Sequence, residues 1–392
     1  MTETLFRKSC TPAPRDELLI RAAILEGTAG WEAWENWRRE ADLDEIGDSS
    51  IRLFPLVYQR FREQLKGDPV APIMKGVYRR TWYKNQMLLE QARKVVSALQ
   101  QESIPSLMLK GIPLTLRYYR DQGVRPMQDV DIAVPFHTVN RAITILQKMG
   151  YRYREIRPLE HLREFTHGAE FFSGVMGRID LHWNIIHELR TSEVDGLFWQ
   201  SAEPLDLGGV QTLAPDAAYL LAHICLHAAW WAQYPTFKWI PDAIVILNQV
   251  PDRILWSSLL HLAQSPRLAL PLKDSLGYLQ ERMSAPVPGR VLDALKKLKV
   301  TRKEAAVYEW RLLPYSQRGR KRWLGTLTWL WSYYEQESLF GEVGKEGGLK
   351  GWAIRVSGFF RFLMSRYDAK SMPHLAVILL AKFIRRPYVL FR

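Results

Sequence analysis

The sequence has few cysteines and no long apolar run. Its 392 residues include only two cysteines, Cys10 and Cys225, and their separation matches no metal-binding spacing. A disulfide framework and a cysteine zinc site are therefore not supported. The longest apolar runs, such as 375–381, fall well short of the ~20 residues that a membrane span requires. Charged side chains near the N-terminus leave no apolar leader, so the sequence predicts no secretory signal and a cytoplasmic location.

Acidic residues are also short in number. The chain has 41 Asp and Glu against 54 Lys and Arg, which gives a formal net charge of +13. Such an excess favours a polyanionic partner, such as a nucleotide, a nucleic acid or an acidic membrane face. A basic surface that only keeps the protein soluble explains the same number. Hydrophobic residues make up 47% and charged residues 24%, which is typical of a globular protein.

The hydrophobic pattern changes twice along the chain. Helical spacing extends over about 15–104, short apolar strands alternate with helices over about 104–212, and helices return from Pro215 onward. We therefore predict an α+β protein, with a small mixed-sheet core flanked by helical regions. The predicted division is an N-terminal helical region 1–103, an α/β core 104–213, a helical cleft region 214–282 and a basic, aromatic-rich helical region 283–392.

The strongest local motif is a pair of aspartates in a predicted strand. Residues two apart in a strand point to the same face, so Asp129 and Asp131 would present adjacent carboxylates. Two such carboxylates repel each other, and a divalent cation removes the conflict. Magnesium prefers a few carboxylate oxygens together with substrate phosphates. A solvated strand end or turn would have the same pattern, so the motif indicates a metal site only if the neighbouring residues also support one.

Three neighbouring features point to a nucleotide site. Lys110 and Gly111 end one strand and begin a helix, where backbone N–H groups and a cation can meet phosphate. Arg125 lies four residues before Asp129, close enough to reach a phosphate or the carboxylates. Asp180 stands in the apolar strand 177–183, where a carboxylate needs a partner, and a shared metal ion is one.

These motifs resemble the polymerase-β type of nucleotidyltransferase superfamily. The closer resemblance is to its bacterial uncharacterised nucleotidyltransferase branch, in which Lys-Gly, R-x-x-x-D-x-D and I-D-L-H-W recur. The resemblance covers about residues 104–245. Most of the superfamily has Gly-Ser at the place of Lys110-Gly111 in this chain.

The resemblance implies a two-metal mechanism. Asp129 and Asp131 would bind the Mg²⁺ or Mn²⁺ that carries a nucleoside triphosphate, and both would share a second ion with Asp180. In-line attack by an acceptor hydroxyl would then transfer the nucleoside monophosphate and release pyrophosphate. Asp180 would also accept the acceptor proton. Lys110, Gly111 and Arg125 would hold the triphosphate.

Histidines follow the third aspartate. His182 lies on the same strand face as Asp180 and either contacts substrate, orients a carboxylate or is a satisfied core histidine. His223 and His227 have a spacing that suits zinc, but no third ligand follows at a recognisable interval. The resemblance favours a nucleotide cleft that is lined by His223 and His227, on one predicted helix, together with Lys238 and Asp242. The alternative is that these residues pack in the core.

The C-terminal region interleaves basic and aromatic residues. Such a pattern is typical of RNA binding, of a peripheral membrane helix over 375–392, and of ordinary helix packing with a basic face. The acceptor itself is unknown, with a small molecule or peptide slightly favoured over RNA. The rival functions are a metal-dependent glycosyltransferase and a non-catalytic RNA- or membrane-binding protein on the same core. No transmembrane segment is predicted.

Overall fold

A computed structural model describes most of the chain. The described residues are 6, 10–42, 46–153, 166–174, 177–187, 189–230, 237–313, 331, 334 and 349–385. Helices α1 to α5 precede the first strand. They are Pro14–Ile24, Gly27–Glu40, Asp48–Ile51, Phe54–Phe61 and Ala71–Gln101. The last of these is the longest of the five. Its sequence spacing predicts an apolar stripe, of which Met87 is half-buried and the other members are buried, namely Leu88, Ala92, Val95, Val96 and Leu99.

A seven-stranded mixed sheet forms the centre of the described structure. Its strands are β1 Leu107–Met108, β2 Val130–Ala133, β3 Arg152–Tyr153, β4 Gly168–Ser173, β5 Gly177–His182, β6 Glu203–Asp206 and β7 Gln211–Ala214. Their order across the sheet is β3-β4-β5-β2-β1-β7-β6. Strand β2 runs parallel to β5 and antiparallel to β1. The strands that carry the predicted site are therefore neighbours at the centre of the sheet.

Short helices connect these strands. Helix α6, Gly111–Pro113, continues as a π-helical turn over Leu114–Tyr119, and α7 covers Val139–Lys148. Gly150 follows α7 with φ of +84°, a conformation that favours glycine and that ends the helix. Helix α8, Ser192–Gln200, begins at Thr191, whose side chain accepts a hydrogen bond from the Val194 N–H.

Together with the N-terminal helices, the helices after the sheet form a hydrophobic cluster. They are α9 Ala217–Trp230, α10 Trp239–Gln249, α11 Trp256–Ala263, α12 Ala269–Met283, α13 Gly289–Lys297 and α14 Arg302–Leu312. Leu220 and Leu272 from these helices share this cluster with Leu19 and Trp37 from the N-terminal helices. The chain is thus an α+β protein with helical regions around a mixed sheet. The four-part division along the chain stays a prediction.

Two C-terminal helices complete the described structure, α15 Leu349–Arg366 and α16 Met372–Arg385. The glycine-rich sequence of 344–351 predicts a flexible break; the segment falls partly outside the described residues, and its last three residues belong to α15. The sequence also predicts a strand at 151–156, which is described only as far as Tyr153. Within the part of the chain that the structure describes, every helix is too short or too polar to span a bilayer.

Candidate active site

Two aspartates meet on neighbouring parallel strands. The register places Asp131 of β2 directly beside Asp180 of β5. The flanking residues of both strands, Ile132 and Leu181 among them, are fully buried. Because side chains alternate along a strand, this burial turns both carboxylates toward the opposite face. The sheet thereby holds two negative charges close together at a fixed separation.

Two positively charged groups compensate these carboxylates. The Lys110 Nζ lies 2.5 Å from Asp131 Oδ1. The His182 Nε2 lies 3.3 Å from Asp131 Oδ1 and 3.1 Å from Asp180 Oδ2. Burial alone would lower the pKa of His182, but the neighbouring Asp180 and Asp131 outweigh it and raise the pKa to about 9. Burial disfavours the ionised form of Asp131, yet Lys110 and His182 keep its pKa well below its usual range.

Lys110 reaches Asp131 through an unusual backbone. Its φ of +48° lies in the left-handed region, which costs a non-glycine residue energy. The next residue, Gly111, leaves room for the Met127 and Arg125 side chains, because a Cβ there would lie 2.9 Å from the Met127 Sδ and 3.1 Å from the Arg125 Nη1 and would force one of them to shift. The Lys-Gly motif therefore brings the start of α6 against the segment that leads into β2.

Asp129 lies at the edge of this cluster. Its Oδ2 is 3.7 Å from the Nε of Arg178, which also bonds Glu170. Burial and the negative charge of Asp131 raise the pKa of Asp129 to about 6, so the existing cations do not fully compensate its charge. The sequence interpretation missed Arg178 and Glu170. Arg178 could have been identified from the sequence, because it precedes Asp180 by two residues and so lies on the same strand face. Glu170 required knowledge of the strand pairing, since it lies on the adjacent strand.

Arg125 and Asp242 form a buried pair. The Arg125 Nε and Nη2 donate to the two carboxylate oxygens of Asp242 at 2.7 Å each. The Tyr119 hydroxyl donates to Asp242 Oδ1 at 2.9 Å. The sequence predicts that both residues contact nucleotide, whereas the structure shows each of them engaged with the other. The pair joins the segment before β2 to helix α10.

Lys238 differs from these cations. It lines the same cleft just before α10, and burial lowers its pKa. Among the described residues, no carboxylate oxygen lies within ion-pair distance of its Nζ. An ammonium group in that situation is suited to bind an anionic ligand.

Several histidines surround the carboxylates. The His167 ring lies 5.1 Å from that of His182 and 4.3 Å from that of His187, measured between centroids. The sequence interpretation missed His167 and His187. Burial and nearby cations lower the pKa of His187 and of His223 to about 3, so both are neutral. The rings of His223 and His227 are 6.5 Å apart. In the described structure they join no three-ligand cluster, which leaves zinc without support there.

These groups line one cleft, which has a volume of about 570 Å³. Every residue predicted for the site lines it. They are Lys110, Gly111, Arg125, Asp129, Asp131, Asp180, His182, Lys238 and Asp242. Their assigned roles remain predictions.

Three of these side chains together offer ligand atoms for a divalent ion. Ligand atoms of Asp131, Asp180 and His182 all lie within 4.8 Å of one another, which is close enough for one ion to contact all three. Lys110 and protonated His182 now compensate the charge of these oxygens, a role that a divalent ion would share. The two carboxylates therefore fit a divalent metal ion, and His182 fits as a third ligand once its Nε2 has lost its proton. Asp129 lines the cleft beside this cluster and remains a predicted ligand.

Comparison with known proteins identifies a relationship for the central part of the chain. A family model described as an uncharacterised nucleotidyltransferase matches residues 50–284. The match includes the whole sheet and helices α9 and α10, and so nearly all of the residues that line the cleft. No curated protein matches the chain.

Proposed function

The chain belongs to the family of uncharacterised nucleotidyltransferases, and on that premise we propose that it transfers a nucleoside monophosphate from a nucleoside triphosphate to the hydroxyl group of a small molecule or peptide. The observation that carries the proposal is the convergence of Asp131, Asp180 and His182 in a cleft that also contains Lys110 and Lys238. Such a cleft offers carboxylates for a metal ion and cations for phosphates in one place.

The charges of the cleft support a triphosphate bound together with metal ions. Its lining has five basic residues and five acidic ones. They are Lys110, Arg125, Arg178, Lys238 and Arg366, against Asp129, Asp131, Glu170, Asp180 and Asp242. Apart from the positive charge on His182, the cleft is thus close to neutral. A triphosphate and two divalent cations carry charges that nearly cancel, so the complex would enter with little net charge to compensate.

Asp131 and Asp180 would hold Mg²⁺ or Mn²⁺, with Asp129 and His182 beside them. A divalent ion at this position would supply positive charge to the phosphate oxygens and to the attacking hydroxyl. Lys238 binds the phosphates in this proposal, and Lys110 orients Asp131 through its 2.5 Å contact. Asp180 accepts the proton of the acceptor hydroxyl as that oxygen bonds to the α-phosphorus, while the bond from the α-phosphorus to the bridging oxygen breaks and pyrophosphate leaves. His182 holds the two carboxylates in place through its hydrogen bonds to both.

The shape of the cleft favours a small acceptor. Side chains from the sheet, from α9, from α10 and from α15 line it on several sides. Its volume of about 570 Å³ lies within the range of ~300–1,000 Å³ that is usual for small-molecule sites. An RNA end would instead need an open basic face that leads to the carboxylates. A compact alcohol or a peptide side chain needs only the cleft.

The experiment follows the α-phosphate. The purified protein, Mg²⁺ and a triphosphate labelled at its α-phosphate are incubated with a cell extract that has been separated into small-molecule and macromolecular fractions. We expect label in products of the small-molecule fraction, lost in Asp131→Asn and retained in the exposed control Asp293→Asn. Label in RNA would contradict the proposed small acceptor but would leave the proposed transfer reaction intact. Label in no product, with folded protein and every triphosphate tried, would contradict the proposed reaction.

A further inference from the structure

Part of the cleft wall comes from outside the family match. Residues 50–284 match the family model, but the cleft is also lined by Phe362, Ser365 and Arg366 of helix α15. These three residues lie in the last two turns of that helix. The part of the cleft wall that α15 supplies therefore lies outside the matched residues.

An aromatic cluster fixes the position of these residues. The Phe362 ring packs against Tyr334 at 5.9 Å and against Phe359 at 6.3 Å between centroids. Gly358 lies against the Tyr334 hydroxyl so closely that a Cβ at this position would overlap it. Phe362 is 2% exposed, so its ring has little freedom to move. Helix α15 thereby presents a rigid surface to the cleft.

This surface is suited to bind a flat ligand with polar edges. The Arg366 guanidinium lies over the Phe362 ring, with its Cζ 6.0 Å from the ring centroid. Aromatic rings and guanidinium planes are the groups on which nucleobases stack. The Ser365 Oγ between them is buried and has no hydrogen-bond partner among the described residues. Buried hydroxyl groups nearly always have a partner, so a ligand that supplies one is expected here.

We propose that Phe362, Ser365 and Arg366 form the subsite for the nucleobase of the bound triphosphate. The inference rests on the proposed function and extends it to a segment outside the family match. The phosphates occupy the part of the cleft beside the carboxylates and Lys238. The base then extends toward α15, stacks on the Arg366 guanidinium, which Phe362 supports from beneath, and hydrogen-bonds the Ser365 hydroxyl with its polar edge. Ser365 thus contributes to the choice among bases.

The test compares two ligands that differ by the nucleoside. One is an α,β-methylene nucleoside triphosphate, which does not transfer its nucleotidyl group, and the other is inorganic tripolyphosphate. Both are titrated with Mg²⁺ into the full-length protein by calorimetry. Arg366→Gln should weaken binding of the nucleotide about tenfold, as the loss of ~1.4 kcal/mol of stacking would. Its affinity for tripolyphosphate should not change, because that ligand has no base.

Matched controls lie on the same helix. Arg361 and Ser357 are exposed and do not line the cleft, so Arg361→Gln and Ser357→Ala should bind both ligands like the wild type. Ser365→Ala should change the ratio of affinities for adenine, guanine and uracil nucleotides, whereas Ser357→Ala should leave it unchanged. Circular dichroism verifies that each variant is folded.

The outcomes separate the two proposals. Equal losses of nucleotide and tripolyphosphate affinity in Arg366→Gln would make Arg366 a phosphate ligand and overturn the base subsite. Unchanged nucleotide affinity in both Arg366→Gln and Ser365→Ala, with altered transfer to acceptor, would assign the surface to the acceptor and also overturn it. A wild-type protein that binds neither ligand would contradict the proposed function itself.

Discussion

Arg125 and Asp242 lie 117 positions apart in the chain and face each other through two parallel hydrogen bonds of 2.7 Å. Their side chains are 8% and 5% exposed. The pair links the segment that leads into β2 with helix α10, and both residues border the cleft. Its geometry therefore bears on stability and on nucleotide binding together.

The first prediction concerns this pair. Arg125→Met leaves the Asp242 carboxylate buried without its partner and should destabilise the protein by about 3–5 kcal/mol. The double variant Arg125→Met/Asp242→Leu removes both charges and should recover a large part of that loss. Chemical denaturation of the two variants and of Asp242→Leu alone gives the coupling energy. If Arg125→Met keeps wild-type stability but loses triphosphate affinity, Arg125 binds nucleotide instead, as its sequence position suggests.

The second prediction concerns Lys238. Its ammonium group has no carboxylate within ion-pair distance in the described structure, so a phosphate is its expected partner. Lys238→Met should weaken tripolyphosphate binding about tenfold to a hundredfold, in line with ~1.5–3 kcal/mol for a hydrogen bond to a charged group. Titration calorimetry with Mg²⁺ present measures this loss. Lys296→Met, at an exposed position away from the cleft, is the control and should bind normally. Equal affinities of wild type and Lys238→Met would remove Lys238 from the phosphate site.

The third prediction concerns metal binding. A ligand that binds only the folded state stabilises it by about 2.7 kcal/mol at a hundred times its dissociation constant. Saturating Mn²⁺ or Mg²⁺ should thus raise the melting temperature of the wild type by a few degrees. The shift should be absent in Asp131→Asn and in Asp180→Asn, whatever their starting stability, and present in Asp293→Asn. An identical metal-induced shift in all four proteins would place the ion elsewhere.

The fourth prediction concerns pH. Asp195 is buried and accepts hydrogen bonds from the Asn184 Nδ2 at 2.7 Å and the Ile185 N–H at 2.8 Å. Burial raises its pKa from 3.8 to about 6. The folded state therefore binds a proton more tightly than the unfolded state. The resulting stability is fully present below pH 3.8 and is lost as the pH rises through 6.

Asp195→Asn removes this titration. The difference in unfolding free energy between wild type and Asp195→Asn should change between about pH 4 and pH 6, by up to about 3 kcal/mol, with the wild type losing stability relative to the variant as the pH rises. Denaturant titrations at several pH values measure the difference, in which contributions from other groups cancel. A difference that does not vary with pH would mean that Asp195 ionises normally in the folded protein.

The elements of the core could be predicted from local patterns. The alternation around Asp131 and Asp180 predicts two strands, and the apolar spacing after Tyr78 predicts a long helix. The structure confirms these elements, with boundaries that differ by a few residues. The long helix begins earlier than expected, at Ala71, because Pro72 occupies the first turn of a helix, where its missing N–H costs nothing.

Partnerships within the site were less accessible to sequence reasoning. Arg125 and Asp242 were each predicted as nucleotide ligands. The sequence around a charged residue does not show whether its partner is a phosphate or another side chain of the protein. His182 had three open interpretations, and the register of β2 with β5 brings it within hydrogen-bond distance of both carboxylates. His167 had no local signal at all, because its contact with His182 depends on the pairing of β4 with β5.

The sequence by itself determined which residues could take part in chemistry. A charge pattern, a strand period of two and a Lys-Gly pair are local properties, and they identified Asp129, Asp131 and Asp180, whereas Asp242 came from the family resemblance. Only the tertiary structure decided which of these groups meet. It set the parallel register that joins Asp131 to Asp180, the pairing of Arg125 with Asp242, and the arrival of Phe362 and Arg366 from beyond residue 349. Contacts over such separations depend on the packing of whole helices and strands, and no short segment of the chain encodes that packing.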